Sequence, residues 1–361
     1  MAESAAFRNK TELTMNYTLP FTAIVGMDLV KRSLLYHAID PRLGGLLLMG
    51  HRGCAKSTLA RAFREILPAL ETAETTPFVE VPLGTSEDRL LGSIDASRLL
   101  ENGEWSAQTG LIQQANGGVL YIDEVNLLPD HLVDSILDSA ASGQHRIERD
   151  GLSKTVSARY ILIGSMNPEE GDLRPQLTDR FMHGILVRDD FSVEERREIV
   201  RVRMDFDDDP QKFLDGHLTK LEELRTQILE IRQKMKNVEI SENLRTEVAE
   251  KATSLNLEGI RAELGVLRTA RCAAAWRGDT VISEVDLAEA WVLCLGHRHT
   301  DLPSEIHNPK PEKKLSEPPA DKPQSKKLQM PKTSLSPTVA QKEGISLEST
   351  QYLAHVKLAS W

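Results

Sequence analysis

The feature that most constrains the fold is a glycine-rich loop between a short apolar strand and a helix. Residues 46–49 (Leu-Leu-Leu-Met) run directly into Gly-His-Arg-Gly-Cys-Ala-Lys-Ser at positions 50–57. In such a turn successive backbone N–H groups point inward, and the start of the next helix adds partial positive charge. The pattern predicts a phosphate-binding loop at the carboxyl end of a parallel strand. A glycine-rich turn without a ligand is the alternative that the loop alone leaves open.

The side chains of this loop have separate expected roles. The Lys56 ammonium is expected to reach the β- and γ-phosphates of ATP, and the Ser57 hydroxyl to bind Mg²⁺. Alanine stands at position 55, where the usual pattern has its second glycine, and we expect Ala55 to take a right-handed or bridging backbone that tolerates its methyl group. His51 and Arg52 are interpreted as surface side chains, although Arg52 could contact a phosphate. The predicted nucleotide contacts are Gly50, Gly53, Cys54, Ala55, Lys56, Ser57 and Thr58.

Two acidic residues follow a second apolar segment. Residues 117–122 (Gly-Gly-Val-Leu-Tyr-Ile) lead into Asp123 and Glu124. Asp123 lies 67 residues after Lys56, with one more predicted strand between them. Paired carboxylates after a strand are common by chance, but this spacing favours a functional pair. Asp123 is predicted to lie near the Mg²⁺ ion, and Glu124 to orient and deprotonate the attacking water.

Further polar residues are candidates for sensing and for action between subunits. Asn167 ends the strand predicted at 160–165 and is our candidate sensor of the γ-phosphate; a turn-forming asparagine before proline is the alternative. Arg180 is a candidate arginine finger for a neighbouring subunit, with a surface ion pair to Asp179 as the alternative, and Arg174 is a weaker rival. Arg261 opens a predicted helix and could swing onto the γ-phosphate; a solvated arginine is the alternative.

The order of elements predicts an α/β domain followed by a helical one. Residues 20–190 alternate short apolar strands with helical patterns, which is typical of a parallel sheet covered on both faces. Two stretches, 83–109 and 143–158, are interpreted as insertions, the second as a hairpin turning at Asp150–Gly151. Strands are predicted at 45–49, 78–81, 118–122, 160–165 and 185–187, and helices at 56–67, 109–115, 131–142 and 193–204.

From residue 210 the pattern is helical to about residue 295, with Ser241 and Ser283 as predicted N-caps. The leucine spacing after residue 214 favours a helix packed on its own domain over a coiled coil. Eight of the 17 prolines follow residue 301, interleaved with lysine and serine, so 302–343 is predicted to be disordered and 344–361 an unstructured tail. The predicted division is therefore an ATPase domain at 18–205, a helical lid domain at 206–301 and a tail at 302–361.

Composition excludes several classes of protein. No run approaches the roughly 18 apolar residues of a membrane span. The three cysteines are widely separated and form neither a disulfide framework nor a metal site, so we expect a cytoplasmic location. The net charge is −10, and residues 302–361 carry nine lysines against six acids. The preceding residues are therefore more acidic than the whole chain, which disfavours nucleic-acid binding.

Taken in order, these residues resemble the AAA+ superfamily, and most closely the ATPase I subunits of magnesium chelatase. The most specific passage is Met-Asn-Pro-Glu-Glu-Gly-Asp-Leu-Arg-Pro-Gln-Leu-Thr-Asp-Arg-Phe at 166–181. Shorter passages are Ala-Ile-Val-Gly-Met at 23–27, Ser-Glu-Asp-Arg-Leu-Leu-Gly at 86–92 and Tyr-Ile-Asp-Glu-Val-Asn-Leu-Leu at 121–128. The resemblance covers about residues 21–298. The sequence departs from the family pattern at Met-His-Gly, 182–184, where the family usually has glycine followed by an apolar residue. It departs again in the proline-rich extension.

The resemblance implies a homo-oligomeric ring, commonly a hexamer, that works with a D subunit and a porphyrin-binding H subunit. Such a ring would hydrolyse ATP with Mg²⁺ to drive insertion of Mg²⁺ into protoporphyrin IX in chlorophyll or bacteriochlorophyll synthesis. It also implies nucleotide contacts from Val25 and Gly26. The family positions that the chain matches residue by residue are Lys56, Ser57, Asp123, Glu124, Asn167, Arg180 and Arg261.

Two other functions stay open at this point. One is a MoxR-like ATPase that remodels another protein for metal insertion or maturation. The other is a scaffold that binds ATP only to assemble a ring, which Glu124 argues against.

Overall fold

The chain forms a parallel sheet with helices on both faces and a helical region after it. The structure, a computed structural model, describes residues 17–68, 76–94, 107–149, 152–187 and 190–298. The strands in these residues are β1 (Gly45–Met49), β2 (Phe78–Val81), β3 (Ser93–Ile94), β4 (Ala107–Gln108), β5 (Val119–Ile122), β6 (Gln144–Arg149), β7 (Leu152–Ser157), β8 (Ile161–Met166) and β9 (His183–Leu186).

The helices divide into those that cover the sheet and those that follow it. The first group is α1 (Asp28–Ile39), α2 (Lys56–Ile66), α3 (Glu87–Leu91), α4 (Leu111–Gln114), α5 (Asp130–Ser142) and α6 (Pro175–Thr178). The second group is α7 (Val193–Asp208), α8 (Pro210–Asp215), α9 (Leu218–Lys234), α10 (Glu242–Ser254), α11 (Arg261–Arg277) and α12 (Glu284–Leu295).

The main sheet has the order β2-β5-β8-β1-β9, and all its pairs are parallel. Successive residues of β1 point to opposite faces: Leu46 and Leu48 join the core with α1, α2 and α9, whereas Leu47 joins the core with α4 and α5. Both faces of the sheet are therefore buried, which explains why its strands are almost continuously apolar. Because the strands are parallel, their carboxyl ends lie along one edge of the sheet.

The predicted α/β arrangement is confirmed, with local differences. Four of the five predicted strands agree to within one residue, but the last spans His183–Leu186 rather than 185–187. The helix predicted at 109–115 is shorter, Leu111–Gln114. The predicted hairpin is present as β6 and β7, which pair antiparallel; its turn, 150–151, lies outside the described residues. The other insertion contains α3 and the antiparallel pair β3–β4, and residues 95–106 of it are not described.

The helical region packs on the sheet domain through one face of α9. Its residues Leu221, Leu224 and Ile228 lie in the same apolar cluster as α1 and α2, so the packed helix, and not the coiled coil, is the correct alternative. Ser241 and Ser283 are N-caps, as predicted; each side chain accepts a backbone N–H. The predicted domain boundary at 205/206 falls within α7. The tail at 302–361 lies outside the described residues, and none of the described helices is long and apolar enough to span a bilayer.

Two buried histidines join the sheet to the helical region. The Nδ1 of His183 lies 2.8 Å from the Ser33 hydroxyl of α1, and its Nε2 lies 2.7 Å from the Thr269 hydroxyl of α11. The ring of His37 packs edge-on against His183 at 4.8 Å between centroids, and both side chains are fully buried. The departure from the family pattern at position 183 thus supplies a polar link between β9, α1 and α11.

This pair predicts that acid destabilises the fold. Burial lowers the pKa of His37 to about 4 and the pKa of His183 well below its ordinary value. The unfolded chain therefore binds protons that the folded chain does not, so stability is complete above about pH 7 and falls as the pH drops from about 6.5 towards 4. At pH 5 we expect a loss of about 2 kcal/mol from His37, and a further loss in the same direction from His183.

Urea unfolding between pH 7 and pH 5 measures this loss. His183→Gln removes a titrating ring, so it should reduce the dependence of the free energy of unfolding on pH. His131→Gln, at an exposed position, is the matched control. A wild-type free energy of unfolding that is constant over this range would contradict the interpretation.

Candidate functional site

The glycine-rich loop lies at the carboxyl edge of the sheet, between the ends of β8 and β9. The Gly50 N–H donates to the carbonyl of Met166 at 3.0 Å. A Cβ at position 50 would lie 2.6 Å from the carbonyl oxygen of Val187, so only glycine fits there. Gly53 has φ of 87°, a left-handed value that glycine adopts without steric cost. The loop then enters α2 at Lys56.

The backbone of Ala55 differs from the sequence-based expectation. It is left-handed, with φ of 55° and ψ of 20°, and not right-handed or bridging. A methyl group in this conformation crowds the following carbonyl oxygen and costs about 1–2 kcal/mol. The loop therefore has the backbone conformation that the usual glycine adopts at this position, and Ala55 is strained in it.

We expect Ala55→Gly to raise the free energy of unfolding by about 1 kcal/mol, because glycine removes the left-handed strain at some cost in unfolded-state entropy. Chemical denaturation of the two proteins measures the difference. The matched control is Ala249→Gly, at an exposed position in the right-handed interior of α10, which should lower stability by about 1 kcal/mol. A loss of stability in Ala55→Gly would show that the backbone at position 55 is not strained.

The Lys56 ammonium faces into the loop. It donates to the carbonyl of Gly50 at 2.5 Å and to the carbonyl of His51 at 2.8 Å. Burial lowers the pKa of Lys56, and the nearby carboxylates of Asp123 and Glu124 act in the opposite direction. The structure thus brings the lysine and the two predicted acids into one electrostatic environment, although the acids lie 67 and 68 residues after the lysine.

A hydroxyl network connects the two predicted Mg²⁺ ligands. The Tyr121 hydroxyl lies 3.0 Å from Oδ1 of Asp123 and 3.2 Å from Oγ of Ser57. The Ser165 hydroxyl donates to the same Asp123 oxygen. Burial raises the pKa of Tyr121 to about 12, which keeps this hydroxyl protonated.

Sequence reasoning missed Tyr121 and Ser165. A signal was available for both, since side chains two residues apart on a strand share a face. Tyr121 precedes Asp123 by two residues, and Ser165 precedes Asn167 by two.

The donor set of this network fits Mg²⁺. A protein usually holds that ion by one or two side-chain oxygens, and phosphates and waters complete the shell. The hydroxyl of Ser57 and the carboxylate of Asp123 are such a pair, linked through one phenol. In the described part of the chain, no group of three or more His, Cys, Asp and Glu side chains is placed to hold a metal by itself. The residues therefore suit an ion that arrives with a nucleotide.

The predicted base forms an ion pair with the loop, and the predicted sensor caps the turn that follows β8. Glu124 has a left-handed backbone with φ of 52°, and its Oε1 lies 3.1 Å from Nη2 of Arg52. Asn167 is buried, and its Oδ1 accepts the N–H of Glu169 as the N-cap of the short 3-10 helix Pro168–Glu170. Asn167 therefore caps a turn, as the alternative predicted, and directly follows β8, the strand beside β5; its role as a sensor of the γ-phosphate stays a prediction.

Arg180 and Arg261 belong to a second cluster of charges. Arg180 Nη1 lies 2.6 Å from Asp138 and 3.1 Å from Asp134, both on α5 of the same chain. The predicted alternative, a pair with Asp179, is not the observed one, because Asp179 instead faces Arg261 at 3.6 Å. Arg174 pairs with Asp130, also on α5, and Arg298 donates to the Asp179 carbonyl at 2.8 Å.

Within this cluster, Arg180 and the Arg261–Asp179 pair lie towards the opposite edge of the sheet from the phosphate loop. The Met182 N–H, just before β9, donates to the carbonyl of Gly45 at the start of β1. The loop begins after the end of β1, and five strand residues at about 3.3 Å each separate the two edges by ~16 Å. Arg180 and Arg261 are therefore poorly placed to touch a nucleotide in the loop of their own chain.

The remaining predicted contacts are placed as follows. Thr58 lies in the first turn of α2 and is half-buried, and Cys54 is a buried free thiol in the adjoining core. Val25 and Gly26 lie in the loop before α1, where Gly26 faces Phe191 near the start of α7.

Comparison with protein-family models gives two matches. The AAA domain of the dynein-related subfamily matches residues 45–181, and the AAA lid domain matches residues 245–321. The first match contains β1, the phosphate loop, the acids and Arg180; the second contains Arg261.

Individual relatives match most of the chain. The magnesium-chelatase 38 kDa subunit of Chlorobaculum tepidum is 41% identical over 320 residues, which cover 79% of this chain and 82% of the relative. The magnesium-chelatase subunit ChlI of Synechocystis is 39% identical over 325 residues, covering 81% and 91%. An uncharacterized protein of Mycobacterium tuberculosis is 42% identical over 288 residues, which cover 80% of this chain but only 46% of that longer protein. A cryo-EM-based model of the complex between BchI and BchD of magnesium chelatase matches with TM-score 0.49 and 42% identity, covering 78% of this chain and 96% of that chain.

Proposed function

Because the chain belongs to the family of magnesium-chelatase AAA ATPase subunits, we propose that it hydrolyses Mg·ATP to drive insertion of Mg²⁺ into a tetrapyrrole by partner subunits. The observation that carries the proposal is the convergence of Lys56, Ser57, Asp123 and Glu124 at one sheet edge, where the Tyr121 hydroxyl connects Ser57 to Asp123. The proposed substrate, protoporphyrin IX, rests on similarity to the named relatives. Porphyrin binding is assigned to a partner and not to this chain.

The proposed mechanism assigns each group at this edge a separate task. The loop backbone and Lys56 would bind the β- and γ-phosphates, and Ser57 and Asp123 would hold the Mg²⁺, which would neutralise developing phosphate charge. Tyr121 and Ser165 fix the Asp123 carboxylate through hydrogen bonds. Glu124 accepts the proton of the attacking water. Asn167 contacts the γ-phosphate and transmits the presence of this group to the turn that it caps. Positioning and electrostatic stabilisation supply most of the rate in such transfers.

The position of Arg180 and Arg261 supports action on a neighbouring subunit's nucleotide. Both side chains lie at the far edge of their own sheet, so a ring that sets this edge against the next phosphate loop would complete each site. The exposed pairs of Arg180 with Asp134 and Asp138 are weak and would cost little to break. We accordingly propose a homo-oligomeric ring, a hexamer by analogy, in which ATP is bound between subunits.

The remaining assignments rest on the sequence and the family. We propose an ATPase domain at 18–205, a lid domain at 206–301, and association with a D subunit and a porphyrin-binding H subunit. A cytoplasmic location remains the expectation from cysteine usage.

Reconstitution tests the proposal. The purified chain, mixed with D and H subunits of a relative's chelatase, Mg·ATP and protoporphyrin IX, should yield the fluorescence of the Mg²⁺ porphyrin. Glu124→Gln in the same mixture should yield none. Absence of ATP-dependent insertion with the wild-type chain, when the relative's own I subunit supports it, would refute the chelatase role even if ATPase activity remained.

One finding keeps a second function in view, namely remodelling of another protein for metal insertion or maturation. A relative as similar as the named chelatase subunits is a longer, uncharacterized protein, so similarity at this level does not by itself fix the substrate. Failure of the reconstitution, together with co-purification of a protein that carries a metal-adhesion domain, would favour this function.

A further inference from the structure

In the structure Arg52, an arginine of the phosphate loop, forms an ion pair with Glu124, the proposed catalytic base. Nη2 of Arg52 lies 3.1 Å from Oε1 of Glu124 and 2.7 Å from Oε1 of Glu170. A carboxylate oxygen that already accepts from a guanidinium is not free to accept a hydrogen bond from water along the same direction. The structure thus holds Glu124 in an ion pair with the phosphate loop.

Glu170 connects this pair to the candidate sensor. It closes the 3-10 turn that Asn167 caps, and its N–H donates to the Asn167 carbonyl at 3.0 Å. Its second carboxylate oxygen, Oε2, is buried and has no hydrogen-bond partner among the described residues. Arg52 therefore joins three parts of the site, namely the loop, the base and the sensor turn, through one nitrogen.

The guanidinium is in position to exchange these carboxylates for a phosphate. Arg52 lies between the two glycines around which the loop curls, and its side chain is 73% exposed, so it is free to move. In the proposed mechanism the water activated by Glu124 lies next to the γ-phosphate, so a cation hydrogen-bonded to Glu124 is close to that phosphate. Both carboxylates contact one nitrogen of the guanidinium, whereas arginine binds phosphate by charge-assisted, often bidentate hydrogen bonds.

We propose that Arg52 is a latch that responds to the γ-phosphate. Without a nucleoside triphosphate it holds Glu124 and Glu170; with one, its guanidinium transfers to the γ-phosphate and frees the Glu124 carboxylate for the attacking water. ADP lacks the γ-phosphate, so with ADP bound Arg52 keeps its contacts with Glu124 and Glu170. This proposal rests on the proposed ATPase function and assigns Arg52 a positioning role within it.

Equilibrium binding of two probes, Mg·ADP and the non-hydrolysable Mg·β,γ-imido-ATP, to the full chain tests the latch. Arg52→Ala should weaken binding of the imido analogue at least about 10-fold and change ADP binding less than about 2-fold, because a hydrogen bond to a charged group is lost only with the triphosphate. Arg52→Lys, which keeps the charge, should recover part of the loss. Equal changes for the two nucleotides would refute the latch.

Glu170→Gln tests the same exchange without altering the loop. It weakens one of the arginine's carboxylate contacts, so the imido analogue should bind about 3-fold more tightly, as expected when one ion pair that competes for the arginine is weakened. This gain should disappear in the Arg52→Ala background. Glu169→Gln removes a neighbouring charge that pairs with His51 and not with Arg52, so it is the matched control for general electrostatics. A gain that persists without Arg52, or that Glu169→Gln reproduces, would refute the latch.

The two proposals fail differently. A wild-type chain that binds neither nucleotide would refute both. A wild-type chain that binds and hydrolyses ATP, but whose Arg52 variants do not discriminate between the two probes, would refute the latch alone.

Discussion

Glu124→Gln is expected to lower the steady-state rate of ATP hydrolysis by about 10²–10⁴-fold, the usual contribution of a positioned general base. The amide has nearly the same shape as the carboxylate but cannot accept the proton of the attacking water. Nucleotide affinity should persist, because the loop, Lys56, Ser57 and Asp123 are unchanged. Phosphate release and equilibrium nucleotide titration of the same preparation measure the two quantities separately.

The matched control is Glu169→Gln, the same substitution at an exposed acid near the site, which should keep a rate close to that of the wild type. Equal rates of phosphate release from the wild type and Glu124→Gln would exclude Glu124 as the base. They would also revive the alternative of a ring that uses ATP for assembly alone.

Arg180→Ala is expected to lower hydrolysis by about 10³–10⁵-fold, the range for an arginine that stabilises the transition state. A mixture of Arg180→Ala with Glu124→Gln should regain activity. Each interface needs Glu124 from one subunit and Arg180 from the next, so random equimolar mixing restores about a quarter of the interfaces in a closed ring. Phosphate release from the mixture, compared with each variant alone, measures the recovery.

Arg174→Ala distinguishes between the two candidate arginines. Arg174 also pairs with α5, through Asp130, but its substitution should lower the rate far less than that of Arg180. Absence of recovery in the mixed rings would contradict action between subunits. Recovery that requires Arg174 instead of Arg180 would transfer the role to the rival.

Local sequence signals predicted the elements that carry the site. The strand, loop and helix around Lys56 follow from glycine spacing and apolar runs, and the acids at 123 and 124 follow from a strand end. Ser241 and Ser283 were identifiable as caps because capping depends on neighbours within a few residues. Parallel pairing then brings the carboxyl ends together, so the location of the site also followed from the sequence.

Contacts between distant segments could not be predicted in this way. Arg52 and Glu124 are 72 residues apart, and Ser33 and His183 are 150 apart; both contacts depend on the order of strands in the sheet. The left-handed backbone of Ala55 was missed because alanine seldom adopts it, and the surrounding loop imposes it here. The pairing of Arg180 with α5, rather than with its neighbour Asp179, likewise follows from how the chain returns across the sheet to β9.

Titration calorimetry of the full chain with Mg·β,γ-imido-ATP, beside Lys56→Ala, tests the central claim most directly. The account predicts saturable binding of one nucleotide per chain that needs Mg²⁺ and weakens at least about 10-fold in Lys56→Ala, since a charged hydrogen-bond donor to the phosphates is lost. Wild-type chain that shows no binding, or that binds as tightly after Lys56→Ala, would contradict it.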